Sequence, residues 1–233
     1  LNLATMETEF SNYWILERDP TVGSLSQDDA ALHLRELLAD SVAIRMRSDA
    51  PVGSCLSGGL DSSAIVCLNR LHIGDDVPYH VFTGRFRGSA SDEWPHAEKV
   101  IRQTCVISHQ TEPTPQNLID ELSTFVWHNE LPVGSTSQYA QWCVFRLAKE
   151  HGITVLMDGQ GADEILAGYE QYFRAYLNSL RESGNEEMAR EEEPRIRERY
   201  PVALADTMET WKKRLPFPLR HRLAGWINKG SDF

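Results

Sequence analysis

Val52-Gly53-Ser54-Cys55-Leu56 runs into Ser57-Gly58-Gly59-Leu60-Asp61-Ser62-Ser63, and Ala64-Ile65-Val66-Cys67-Leu68 follows. The first five residues form a short apolar run after Pro51, which stops a helix, and they end on a serine-glycine turn; this predicts a strand leading into a loop. Beyond the glycines, Ala64, Ile65, Cys67, Leu68 and Leu71 mark a helix over 61–71 that is buried on one side. Such a strand, loop and helix aim backbone N–H groups and the positive end of a helix at whatever occupies the loop. Gly53 and Gly58 fit the frame GxxxxGK[ST], but Gly59 replaces its lysine and Leu60 its hydroxyl, so this is not a kinase or GTPase loop. What remains are glycines that let N–H groups curl around an anion, hydroxyls on both sides, and the acid Asp61. Bare phosphate repels Asp61, whereas Mg²⁺ bridging the phosphates is drawn to it, because hard cations take carboxylate and phosphate oxygens together. Taken alone, the loop is explained equally well by Asp61 and Ser62 capping a helix.

The surrounding pattern fits an alternating chain. Upstream, Ser26 and Asp29 open a helix that carries Ala31, Leu34, Leu38 and Val42 on one stripe through about Arg47. Residues 1–25 show no sustained period and read as a lead-in or linker from a preceding domain. Downstream come a strand over 79–83, a helix over 92–103, a strand over 105–108 and helices over 115–128 and 137–151. The opening device then repeats: Ile153 to Met157 meets Asp158-Gly159-Gln160-Gly161, and Ala162–Leu166 starts another helix. This alternation predicts an α/β fold, a parallel sheet flanked by helices, with both glycine loops opening at the carboxyl ends of the strands. From Glu170 onward the pattern is helical, and residues 181–199 are so dense in charge that they read as a solvated helix or loop.

Composition narrows the function classes. The 233 residues are 41% hydrophobic and 24% charged with a formal charge of −11, a folded acidic chain whose electrostatics oppose general nucleic-acid or anionic-membrane binding. No apolar run approaches the ~18 residues of a membrane span, and the first residues lack a secretory signal pattern. The four cysteines form no CxxC pair; three lie in apolar stretches and read as small buried hydrophobes of a reducing cytosol. A cytoplasmic protein without nucleic-acid or membrane partners is expected. Between residues 211 and 229 six basic side chains meet no acid, which reads as a basic surface, with a phosphate-facing tail as the alternative.

The heptapeptide SGGLDSS at Ser57–Ser63 resembles the fingerprint of the N-type ATP pyrophosphatases (PP-loop superfamily), and among them the synthetase domain of the glutamine-hydrolysing asparagine synthetase family. Arg47 to Gly53 before the loop, Asp92 and Glu93, His109, and DGQGADEILAGY at Asp158–Tyr169 extend the resemblance over most of the chain. It implies an adenine nucleotide alpha hydrolase-like fold with an all-helical C-terminal part. It also implies a domain plan: 1–25 as lead-in from a missing N-terminal domain, 26–169 as the ATP-pyrophosphatase core, and 170–233 as an incomplete helical part. The implied chemistry is adenylation of a carboxylate by ATP, release of pyrophosphate, and displacement of AMP by ammonia to give an amide.

On this resemblance Ser57, Gly58, Gly59, Ser62 and Ser63 cradle the pyrophosphate portion of ATP, and Asp61 and Asp163 hold Mg²⁺. Leu56 and Thr83 face adenine, and Gly159 lies against the nucleotide. Because attack falls on the α-phosphorus, no lysine is needed at the γ-phosphate. Helix-starting acids complementing the dipole are the plainer explanation for Asp163 and Glu164. Two departures stand out. Gln160 occupies the position of a glutamate proposed to handle protons during ammonia attack, and a neutral amide is no base. Thr136, within Ser135-Thr136-Ser137, stands where an arginine gripping the substrate carboxylate is expected. Aspartate is the substrate by family weight; an amide synthetase for another carboxylate and a non-catalytic nucleotide-binding remnant stay open. Ammonia, and a glutaminase domain in the full-length chain, are the implied partners, and a homodimer is allowed. Leu1, rather than Met, reads as the start of a piece cut from a longer polypeptide.

Overall fold

The structure, a computed structural model, describes residues 2–15, 17, 19–200 and 204. The basic stretch 211–229 and most of the far end of the helical C-terminal part lie outside the described residues. The chain divides into two compact units, 1–159 and 160–233.

The first unit is built on β1 (Val52–Cys55), β2 (His80–Gly84), β3 (Ile107–Thr111) and β4 (Val155–Met157). They form one sheet in the order β3-β2-β1-β4, with every neighbouring pair parallel. The helices are α1 (Gln27–Arg45), α2 (Leu60–Ile73), α3 (Trp94–Thr104), α4 (Pro115–Asn129) and α5 (Thr136–Glu150). Alternation along β2 divides its side chains between two cores, as a period of two requires. Val81 joins Leu56, Val66, Tyr79, Ala97 and Val106 under α2 and α3, whereas Phe82 joins Val144, Ala148 and Ile153 under α5. The expected parallel sheet flanked by helices is the fold of this unit. A third cluster, Phe125, Tyr139 and Cys143, joins α4 to α5.

Local chemistry moves several boundaries. Residue 105 does not open β3, because Cys105 closes α3 in the left-handed conformation at φ 50° and the strand starts at Ile107. Likewise Ile153 turns back to donate its N–H to the Ala148 carbonyl at 2.9 Å, so β4 begins at Val155. Of the cysteines, Cys143 is buried as expected, whereas Cys55 and Cys67 are only half-buried and Cys105 is exposed; all four are free thiols.

In the second unit α6 (Ala162–Leu166) is followed by α7 (Tyr172–Glu182) and α8 (Glu186–Arg199). Leu177, Ala189, Ile196 and Leu204 form its core. The charge-dense stretch is helical because its ions pair along and across the helices: Glu193 accepts from both Arg181 and Arg197.

One feature of the sheet sets a pH response. His80 Nδ1 and His109 Nε2 lie 2.9 Å apart, and the His151 ring centroid is 3.8 Å from that of His109. Burial, then His151 and His80, hold the His109 imidazole below its ordinary value. The unfolded chain therefore takes up this proton near pH 6.5 and the folded chain only lower, so stability is complete above about pH 6.5 and declines as pH falls toward the folded value. His109→Phe is expected to flatten the urea midpoint between pH 7 and pH 5; an unchanged slope would assign the response to other groups.

Candidate functional site

The loop after β1 is assembled by its own hydroxyls. Ser62, buried in the first turn of α2, accepts the Ser57 N–H at 3.2 Å and donates to the Gly59 carbonyl at 3.3 Å. Ser57 Oγ accepts the Gly59 N–H at 3.0 Å and shares a 3.0 Å hydrogen bond with Ser62 Oγ. Gly58 turns the chain at φ +101°, and a Cβ there would lie 2.5 Å from the Glu93 carbonyl and 2.8 Å from the Ala97 nitrogen. The start of α3 thus presses on the turn, and only glycine satisfies both the conformation and the space. Gly59 then caps α2, whose first N–H groups have no carbonyl one turn earlier to bond. The Ser63 N–H is spent on the Gly59 carbonyl at 3.1 Å.

Neighbouring strands complete this end of the sheet. Thr83, buried at the end of β2, donates its hydroxyl to the Leu56 carbonyl at 2.6 Å, and the Leu56 N–H bonds the Phe82 carbonyl at 2.9 Å. Leu56 itself is buried. From β4, Gly159 approaches so closely that a Cβ on it would stand 3.0 Å from both Asp61 Cβ and the Ser62 nitrogen. The two glycine motifs, about a hundred positions apart in sequence, are therefore in contact at the N-terminus of α2. Asp61 lies in the first turn of that helix, half-buried.

The remaining candidates sit elsewhere. Ser135 caps α5 by accepting the Ser137 N–H at 3.2 Å, and Ser135, Thr136 and Ser137 are all exposed in its first turn. Gln160 is exposed. In the second unit Asp163 lies in the first turn of α6, and its carbonyl accepts the Gly168 N–H at 2.9 Å. Its neighbour Glu164 accepts from the Tyr169 hydroxyl at 2.8 Å, which pushes the phenol up to about 12.

Three features were not read as site residues from the sequence. Arg85, just beyond β2, grips Asp92 through two nitrogens at 3.0 and 2.8 Å, holding that carboxyl below its ordinary range, and stacks 4.4 Å over Trp94. This clamp fixes the segment whose Glu93 carbonyl presses on Gly58. The Glu93 carboxylate also reaches the loop, 3.8 Å from where a Gly59 Cβ would stand. At the end of β4, Asp158 Oδ2 accepts a hydrogen bond from Gln141 of α5 at 2.9 Å. Burial and then the nearby Asp158 carboxylate push the Cys55 thiol far up, so it stays neutral. Asp92 and Asp158 belong to the stretches that carry the resemblance, but only the fold supplies their partners.

A glycine turn backed by a helix N-terminus, bordered by Asp61 and Glu93 and closed by Gly159, suits a polyphosphate with its cation better than either alone. A family model described as asparagine synthase matches residues 33–232. Asparagine synthetase (glutamine-hydrolyzing) 1 of Bacillus subtilis is 32% identical over 150 residues, 63% of this chain and 22% of that protein. Asparagine synthetase (glutamine-hydrolyzing) 3 of the same organism is 30% identical over 180 residues, 72% of this chain and 29% of that protein. Amidase chyE of Penicillium rubens is 29% identical over 181 residues, 72% of this chain and 27% of that protein. The matched part thus spans about a quarter of the length of these relatives. With the family model matching from α1 nearly to the last residue, and with both glycine motifs joined at one helix end, the chain belongs to the asparagine synthase family.

Proposed function

We propose that the chain is the synthetase module of an ATP-dependent carbon-nitrogen ligase. ATP adenylates a carboxylate, pyrophosphate leaves, and ammonia displaces AMP to give the amide. The observation that carries this reading is the seat of Gly159 against Asp61 and the Ser62 nitrogen, which brings the two motifs together at the N-terminus of α2. Residues 26–169 are then the catalytic core, with 1–25 leading in from a glutaminase domain that supplies ammonia and 170–233 belonging to a longer helical part. The module works in the cytoplasm.

Each residue has a task in this reading. Gly58 and Gly59 open the turn so that the free N–H groups at the start of α2 meet the pyrophosphate oxygens. Ser57 and Ser62 hold that turn from within, and Ser63 extends it into the helix. Leu56 and Thr83, tied by their 2.6 Å hydrogen bond, present backbone to adenine, and Gly159 lets the nucleotide lie close. Asp61 is the carboxylate that the first unit offers to Mg²⁺, an ion that would neutralise charge on the leaving pyrophosphate, and Asp163 is the one that the second unit offers. Stabilising that leaving group is the main demand of attack at the α-phosphorus.

Aspartate is the leading substrate. An exposed α5 turn of Ser135, Thr136 and Ser137, without a cation, favours as second reading a carboxylate recognised by hydroxyl and N–H donors. With ATP, Mg²⁺, ammonia and aspartate, the expected products are AMP, pyrophosphate and asparagine. Pyrophosphate released with other carboxylates but not with aspartate would select the second reading, and ATP binding without turnover on any carboxylate would select the remnant.

A further inference from the structure

We propose that Asp158 is the carboxylate that takes the proton from the attacking ammonia. This rests on the amide-forming reading above. When ammonia adds to the acyl carbon of the adenylate, the new C–N bond leaves a proton on nitrogen. That proton moves to the Asp158 carboxylate as the bond from carbon to the AMP oxygen breaks, giving the amide, AMP and a protonated Asp158. Gln160 has no basic lone pair for this step.

The local structure favours Asp158 over the other acids. Asp61 and Glu93 border the glycine turn, where phosphate and its cation belong, and Glu164 is engaged by Tyr169. Asp158 ends β4 next to Gly159, half-buried, and its Oδ2 receives the Gln141 amide at 2.9 Å. Gln141 is a neutral donor, so it orients the carboxylate without neutralising it. Gln141 also follows Ser137 by one helical turn, so Asp158 is held by the face of α5 whose first turn carries the candidate substrate residues.

The two half-reactions are separable in the full chain. ATP–pyrophosphate exchange with aspartate reports adenylation, and asparagine formation with ammonium chloride reports the second step. Asp158→Asn is expected to leave exchange within about 3-fold of wild type and to lower amide formation about 100-fold. Asp158→Asn combined with Gln160→Glu should recover most of the lost amide formation. Equal loss of both half-reactions in Asp158→Asn would overturn the assignment by placing Asp158 on the nucleotide, and so would undiminished amide formation. Exchange by wild type without any amide would overturn the Asp158 assignment alone. Absence of exchange with aspartate and with every other carboxylate tested would overturn the ligase reading and this assignment with it.

Discussion

Gly58→Ala is expected to lower Mg-ATP affinity by at least about 100-fold and stability by about 2–4 kcal/mol. The stability loss has two sources. At φ +101° a side chain strains the backbone, and a methyl group would meet the Glu93 carbonyl at 2.5 Å and the Ala97 nitrogen at 2.8 Å. Those atoms are backbone at the start of α3, held by the Arg85–Asp92 pair with side chains only 10% and 12% exposed, so they have little room to retreat. The affinity loss follows from the loop, because relieving the clash rotates the N–H groups that face the anion. Urea unfolding and calorimetry measure the two effects. A variant of wild-type stability and affinity would mean that α3 does not pin the turn.

Asp61→Ala discriminates by sign. If Asp61 only complements the α2 dipole, removing a negative charge beside phosphate strengthens nucleotide binding, and stability drops by no more than about 1 kcal/mol. If it anchors Mg²⁺, Mg-ATP affinity falls, and pyrophosphate release falls by about 100-fold as leaving-group stabilisation is lost. The second outcome is expected, because the acid sits half-buried against Gly159 at the junction of the two motifs. Tighter Mg-ATP binding by the variant would return Asp61 to a capping role. Asp163→Ala should weaken binding in the same direction.

Much of this architecture was legible because the relevant signals are local. Val52 to Leu56 reads as a strand from its apolar run and its glycine boundary, and α2 from its one-sided stripe. The exchange of Walker lysine for Gly59 separates this loop from kinase loops by inspection. What resisted reading depends on partners distant in sequence. The turn at Gly58 is legible in the sequence, but the crowding that adds to its need for glycine comes from the start of α3, 35 positions later at Glu93. The roles of Asp92 and Asp158 come from Arg85 across a loop and from Gln141 on another helix, and neither residue type nor spacing announces them. In the sequence Cys105 reads as strand, because a left-handed helix end is unusual for a residue other than glycine. The candidate substrate turn at Ser135, Thr136 and Ser137 is visible as a helix cap, yet hydroxyls at an exposed helix start serve capping and recognition alike.

On the proposed function, the turn after β1 holds the pyrophosphate of ATP together with its cation. Calorimetric titration of the wild-type chain with pyrophosphate, with and without Mg²⁺, tests it without knowledge of the carboxylate. Saturable one-to-one binding that requires Mg²⁺ and is lost in Gly58→Ala is the predicted result. Binding that is indifferent to Mg²⁺ or survives in Gly58→Ala would contradict the account, as would no binding by the folded wild-type chain.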